Sequence, residues 1–327
     1  KITARGDARS WPRDSAVVAF SSGYNGCAQN LWVECGHVAP CAVFSSPEGG
    51  QRFLNVRGTR FTRKGLWLQG STHADHCNFE QFQDDSAGAG RDFALGSAAA
   101  NRTAYCLYAE ANVTDSRFEQ CIFSRAKIPV FVARDAAFMF FDSCHFYQGF
   151  NWSQSEPWTG DAERPQGGAR LFRIEGYDIN MTDMYFDLGY GEYVVTADSP
   201  RTGVFLTVDG IRSVANSRIS AYPQWLRILT DQPGTRLDGL KISAGSSWKY
   251  SDPHPGELIG FETTGAGGFA PWIEGLRGVR HDLMTTQAGL NLFSADETAE
   301  VAATLISSHA ARGRLRLRGR GCSTEAG

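Results

Sequence analysis

No apolar run in this chain approaches the length of a membrane span. The longest, such as Ala136–Phe141, fall far below the roughly 18 residues needed to cross a bilayer. Any stretch with a 3.6-residue apolar period over ten or more residues is also missing, which excludes helical repeats. Basic charge is not in excess: 32 Lys and Arg stand against 35 Asp and Glu, a formal net charge of −3. A general nucleic-acid binder carries a basic face, so nucleic acid is not expected as a partner. Eight cysteines in 327 residues are too sparse for a disulfide scaffold. No nucleotide-binding glycine loop, helical His-Glu-x-x-His site or nucleophile elbow occurs, and pieces such as Gly88-Ala89-Gly90 lack the strand-to-helix context and read as turns. No secretory signal is visible, although the sequence opens on Lys1, which is compatible with a leader cut away upstream.

Against these absences, 42% of residues are hydrophobic and 20% charged. That composition supports a real core and excludes a disordered chain.

What organises the chain is repetition. Cys77-Asn78-Phe79, Cys121-Ile122-Phe123 and Cys144-His145-Phe146 share one pattern, with relatives at Met184-Tyr185-Phe186, Ser217-Arg218-Ile219 and Leu240-Lys241-Ile242. Strand alternation places the first and third residues on one face, so the cysteines read as small buried hydrophobes. The steps between motifs are 44, 23, 40, 33 and 23 residues, which a unit of about 22 explains if one step is doubled and two carry insertions. A second motif keeps the same phase: Leu66-Trp67-Leu68, Leu107-Tyr108-Ala109, Val130-Phe131-Val132, Leu171-Phe172-Arg173 and Val204-Phe205-Leu206. A third extended stretch lies between the two, clearest in Ala137–Phe141. Three short strands per unit of this length predict an all-β fold, a parallel β-solenoid whose inward side chains form continuous columns.

On these residues the chain resembles the right-handed parallel β-helix superfamily, which includes pectate lyases and bacteriophage tailspikes. The likeness covers roughly residues 50 to 285 and rests on coil pattern. The irregular coils, the Gly- and Trp-rich insertions and the differently composed C-terminal part are most similar to a tailspike or polysaccharide depolymerase. The Gly-Asp-rich entry segment common in that group is absent here. The resemblance implies residues 1–50 as an irregular N-terminal cap, 51–285 as the β-helix, and 286–327 as a C-terminal capping or oligomerisation segment. It further implies a polysaccharide partner, a homotrimer, and an extracellular or virion-associated location. No cofactor is implied.

Within the last segment, Ser294-Ala295-Asp296-Glu297 reads as a capping box opening a short helix through Ile306. Arg314-Leu315-Arg316-Leu317-Arg318 alternates as a strand with one basic face, suited to a subunit interface or to a solvated edge.

Several constellations carry possible chemistry. Cys27, Cys35, His37 and Cys41 cluster, but their spacing fits no tight pair of zinc ligands; they read as a local disulfide or as buried thiols, and no metal site is expected. Asp75, Glu119, Asp142 and Asp238 each lie four residues before a closing Phe or Ile and read as turn caps bonded to backbone. Asn101, Asn112, Asn151 and Asn180 open Asn-x-Ser/Thr sequons, glycan acceptors only on a eukaryotic secretory route.

Six residues past a closing residue fall Trp152, Trp225 and Trp248, with Glu192 at that offset after Phe186 and Tyr190, Tyr193, Tyr222 and Tyr250 nearby. Equal offsets mean one face of a solenoid. A row of aromatics beside carboxylates suits a sugar polymer, because C–H faces stack on rings while hydroxyls bond to acids; packing of the loops is the plainer alternative. The insertion from Tyr147 to Ala169 adds Trp158 and Glu156. Glycoside hydrolysis needs two carboxyl groups, about 5–5.5 Å apart for retention or 6.5–9.5 Å for inversion. Asp187, Glu192 and Glu156 are the expected catalytic acids, with Trp152, Trp158, Tyr190, Tyr222, Trp225 and Trp248 as the sugar-binding surface. A lyase would instead draw on Lys249, Tyr250 and His254, whose Asp-Pro-His fragment is similar to a stretch of alginate epimerases. A glycoside hydrolase is favoured over a lyase, and the alternative from another class is a structural or adhesive β-helix without a working acid pair.

Overall fold

The computed structural model describes residues 1–7, 10–21, 23–81, 105–126, 128–147 and 171–185 with their side chains, and beyond these the backbone of strands as far as residue 305. Among the described residues there is no α-helix. The described strands form a fourteen-stranded, a ten-stranded and a three-stranded sheet, and their pairing is parallel. The fold is therefore all-β and parallel.

One repeat shows how the chain travels. Lys64–Leu68 lies in the ten-stranded sheet; after a short turn, Thr72–Asp75 and Asn78–Glu80 lie in the fourteen-stranded sheet. The next repeat does the same with Tyr105–Ala109, Ser116–Glu119 and Ile122–Ser124, and the one after with Ile128–Val132, Ala137–Asp142 and His145–Tyr147. Each strand pairs with its counterpart one repeat on, so every position becomes a column about 4.7–4.9 Å per step.

A left-handed residue bends the chain between the two strands of the larger sheet. Asn30, Asn55, His76, Gln120, Ser143 and Asp183 share this position, with φ between 50° and 53°. Such a conformation costs a non-glycine residue roughly 1–2 kcal/mol. Cross-repeat hydrogen bonds offset it: the N–H groups of His76, Gln120 and Ser143 donate to the carbonyls of Glu119, Asp142 and Thr182, each at 2.9 Å. In the first repeats Asn55 Nδ2 also donates to Asn30 Oδ1 at 2.7 Å.

Inside the bend stand the cysteines. Cys77, Cys121 and Cys144 are fully buried, and the thiol of each donates to a carbonyl of the preceding repeat, Phe53 at 3.4 Å, Ala74 at 3.4 Å and Phe118 at 3.3 Å. Neighbouring thiols touch, and that contact pushes Cys77 far above the ordinary thiol range, with burial adding to it; burial is the chief cause for Cys121. They act as weak donors in the core.

Two positions further on, Phe79, Phe123 and Phe146 stack with centroids 6.4 and 5.7 Å apart and planes within 11° and 15°. Phe118 and Phe141 form a second stack at 4.8 Å, and Phe118 meets Phe123 edge-on at 5.9 Å. Such pairs contribute about 0.5–1.5 kcal/mol each beyond their buried area. Gly58 heads the first stack because a Cβ there would sit 2.8 Å from Phe79 and 2.9 Å from Ala42. Val43, Leu66, Leu107 and Val130 of the ten-stranded sheet complete the same core.

The register corrects several expectations. The 44-residue step is not doubled, since Asp75 pairs directly with Glu119; it is one repeat with an insertion. Tyr185-Phe186-Asp187 pairs with Arg212-Ser213-Val214, so the fifth tripeptide is not Ser217–Ile219. Leu240-Lys241 pairs with Val208-Asp209, a different column from Cys77. In the second motif Val130 pairs with Phe172 rather than Leu171, and the next member is Gly191-Glu192-Tyr193, because Leu206 pairs with Ile179 in the other sheet. The common cause is that residues alike in polarity tolerate a slip of phase wherever a turn changes length.

The ends differ from expectation too. Ala16–Phe20, Cys27–Glu34 and Cys41–Ser45 already pair in parallel with later strands, so the ladders begin well before residue 51. Closer to the start, Ala4 N–H donates to Glu34 at 2.8 Å, and Trp11 packs on the core. At the other end, the expected helix through Ile306 is replaced by Ala302–Leu305, a strand paired with Trp272–Leu276. Residues 314–318 lie outside the described residues.

Candidate functional site

The connections at one corner differ sharply in length. Between the fourteen-stranded sheet and the ten-stranded sheet, residues 60–63 and 125–127 make short links, whereas 81–104 and 148–171 are long. The second long connection leaves from Tyr147 and returns at Phe172. In the following repeat Tyr147 pairs with Asp187 and Arg173 pairs with Glu192. The two acids proposed from sequence therefore flank the same corner as the ends of the insertion that carries Trp152, Glu156 and Trp158. They belong to different sheets, Asp187 to the fourteen-stranded and Glu192 to the ten-stranded.

Of the other expected residues, Trp225 lies in the strand Gln224–Thr230 of the ten-stranded sheet. Trp152, Glu156, Trp158, Tyr190, Tyr222, Trp248, Lys249, Tyr250 and His254 lie outside the described residues. The equal-offset argument for the tryptophans does not hold in the register. Trp225 lies six residues past Ile219 and Trp248 six past Ile242, but the column of Phe146 and Phe186 continues to Ser213, and Leu240 pairs with Val208 in another column.

A different aromatic row exists. One column of the ten-stranded sheet runs Phe44, Trp67, Tyr108, Phe131, Arg173, Glu192, Arg227. Its upstream half is aromatic. Phe44 and Trp67 rings lie 4.7 Å apart, Tyr108 and Phe131 5.1 Å. Lys64 Nζ sits over Trp67 at 4.0 Å and Tyr108 at 4.1 Å, a cation–π arrangement strengthened by burial, since Lys64 is only 4% exposed. Trp67 Nε1 donates to Glu110 Oε1 at 2.5 Å, and Gln69 Nε2 to Glu110 Oε2 at 3.0 Å. The column then turns ionic: Arg173 is buried and donates through Nε to Glu175 at 2.8 Å. Sequence reasoning passed over this row, although its signal is present: Trp67, Tyr108 and Phe131 are the middle residues of the first three second-motif tripeptides.

On the outer side of the fourteen-stranded sheet a second ladder is open to solvent. Asp75, Glu119 and Asp142 share one column, and Arg52, His73 and Arg117 the neighbouring one. His73 Nε2 meets Glu119 Oε2 at 3.0 Å and Arg117 Nε meets Glu119 Oε1 at 2.6 Å. The His73 hydrogen bond is the largest influence on the Glu119 carboxyl; burial opposes it, and the Arg117 charge joins it, so that the carboxyl is held below its ordinary range. Asp75 meets His76 Nδ1 at 2.6 Å, and Asp142 accepts from Ser143 Oγ at 3.0 Å. These acids bond to neighbouring side chains, which corrects the expectation that they cap turns through the backbone. Asp238 is not among them, because it pairs with Glu274 in the three-stranded sheet.

No group of three or more His, Cys, Asp or Glu among the described residues is arranged for a metal ion. Cys35 and Cys41 are free, buried thiols, and Cys27 is a free, exposed one; desolvation pushes Cys41 up to about 12. No described helix is long and apolar enough to cross a membrane. Comparison with family models, curated proteins and solved structures gives no match.

Proposed function

We propose that this chain is a right-handed parallel β-helix of the tailspike-like kind, which binds and cleaves a surface or capsular polysaccharide outside the cell or on a virion. One observation carries the reading. Asp187 and Glu192 flank a single corner in register with Tyr147 and Arg173, where a long connection leaves and rejoins the sheets. Loops held on a rigid scaffold are the usual seat of binding and catalysis.

The chemistry assigned to this corner is glycoside hydrolysis by a carboxyl pair. Glu192 has an arginine on the strand at either side, Arg173 and Arg227, and takes the role that requires a carboxylate, nucleophile or base. Asp187 or Glu156 takes the acid role. The homotrimer belongs to the same reading, with residues 286–327 supplying its contacts.

The test is release of reducing ends from a panel of bacterial and algal polysaccharides, with absorbance at 235 nm read in parallel. Reducing ends without absorbance are the expected result. Removal of a general acid or base by Asp187→Asn or Glu192→Gln then lowers turnover by about 10²–10⁴. Absorbance would mean a lyase and turn attention to Lys249, Tyr250 and His254.

A second reading, a structural or adhesive β-helix, is favoured by the open ladder. There Asp75, Glu119 and Asp142 are all engaged by neighbouring side chains, Asp75 and Asp142 by the next residue in the chain and Glu119 by His73 of the preceding repeat, so these carboxylates serve the scaffold. Binding to a polysaccharide without release of ends supports it.

A further inference from the structure

Charge is unevenly spread along the chain. Residues 1–64 hold nine Lys and Arg against four Asp and Glu, whereas the other 263 hold 23 against 31. Such asymmetry points to an anionic partner at the basic end. The fold gathers part of this excess at the corner already described. Glu34, Thr59, Glu80, Ser124, Tyr147 and Asp187 form one column of the fourteen-stranded sheet, and cations surround its first four members. Arg60 and Arg125 directly follow Thr59 and Ser124, both in the left-handed conformation with φ of 55° and 62°.

Two buried carboxylates hold these cations. Glu34 meets Lys1 Nζ at 4.0 Å and Arg60 Nη1 at 3.9 Å, and Glu80 meets Arg57 Nη2 at 3.4 Å and Arg125 Nε at 3.2 Å. Trp32 adds a second hold, with its ring 3.8 Å from Lys1 Nζ and 5.3 Å from Arg57 Cζ. The carboxylate side chains are 9% and 11% exposed, the four cations 33% to 44%. A buried acid requires cationic partners, so here negative charge lies beneath and positive charge faces out. Side chains pinned in this way lose little freedom on meeting a ligand.

We infer that this strip binds the carboxylate groups of an acidic polysaccharide whose chain runs along the column toward Asp187. The inference rests on the polysaccharide reading above and narrows its substrate class. Arg60 and Arg125 stand two strands apart, about 9.5 Å, so the strip meets charges spread along a polymer rather than one small anion.

The test is affinity electrophoresis of the full chain through gels holding each polysaccharide of the panel, in its native and its carboxyl-reduced form. Retardation by acidic members is expected, with Kd raised more than about tenfold by carboxyl reduction and retardation weakened in 1 M salt. Arg60→Gln with Arg125→Gln leaves Glu34 its Lys1 and Glu80 its Arg57. This pair should raise Kd for the native polymer about tenfold and leave Kd for the reduced polymer unchanged. Arg60→Lys with Arg125→Lys keeps the charge and most of the affinity, which separates lost binding from lost fold. Arg52→Gln with Arg117→Gln makes the same change in net charge on the open ladder and should leave Kd unchanged. Equal retardation by native and reduced polymers, or an equal loss in the Arg52 and Arg117 pair, overturns the inference and leaves the polysaccharide reading standing. Tighter binding to duplex DNA than to any polysaccharide also overturns it. Neither retardation nor cleavage by any member of the panel removes that reading and the inference with it.

Discussion

Cys77, Cys121 and Cys144 form one column, and Asp75, Glu119 and Asp142 form another only two residues earlier in each repeat. The pairing and the spacing are the same; the medium is not. Inside, stacking like on like is favourable, because each thiol finds a carbonyl of the preceding repeat and each phenylalanine nearby finds a phenylalanine. Outside, like on like would set carboxylates one strand apart, which is destabilising. The chain answers by placing His73, Arg117, His76 and Ser143 against them. A repeat thus transmits apolar identity along the stack freely, while charged identity has to be balanced rung by rung.

The contrast can be tested by removing one member at a time, and the largest effect belongs inside. Phe123 is fully buried between Phe79 and Phe146, and Phe123→Ala should cost about 3–5 kcal/mol in denaturant unfolding. Phe123→Leu, which preserves most of the volume, should cost far less and keeps the test readable if the alanine variant does not fold. Next comes Cys121→Ala, which removes a buried sulfur and one hydrogen bond; a loss of about 1–2 kcal/mol is expected. An effect below that of the surface variants would break the comparison.

Outside, Glu119→Gln should cost no more than about 1 kcal/mol, because the pair is partly exposed and screened, and the cost should shrink further in 1 M salt. The pH dependence has a definite sign. The folded state holds Glu119 below its ordinary value, so its contribution is present above the unfolded carboxylate range near 4.5 and is lost as pH falls through the folded value. Melting temperatures of wild type and Glu119→Gln should converge toward acid pH. A smaller effect of the same sign belongs to His145. Burial lowers its pKa from 6.5, and its Nε2 is buried without a hydrogen-bond partner among the described residues. Stability should therefore fall as pH drops below about 6.5, with a flatter profile in His145→Gln.

How far the sequence could be read depended on the kind of residue. Cys77 with Phe79, Cys121 with Phe123 and Cys144 with Phe146 are legible because alternation puts both on the buried face, and the structure keeps all six there. The phase faded beyond Phe186, where Ser213 takes the place of the phenylalanine in the register and the apolar Val214 falls one position later, opposite Asp187. For the candidate site, Asp187 and Glu192 could be picked out as acids near an insertion, but their assignment to two sheets across one corner follows from pairing partners far away in sequence. The aromatic row through Trp67, Tyr108 and Phe131 was visible as a pattern, yet its burial against Lys64 was not.

By itself, the sequence determined that this chain is built from short parallel-stacking β units with an apolar column of Cys and Phe, since side-chain alternation is a local property of every strand. Which repeat follows which, where the ladders start, and which charged residues become neighbours was decided only in the tertiary structure. Those contacts join residues tens of positions apart, and the length of a turn changes the sequence spacing without changing the spacing in space.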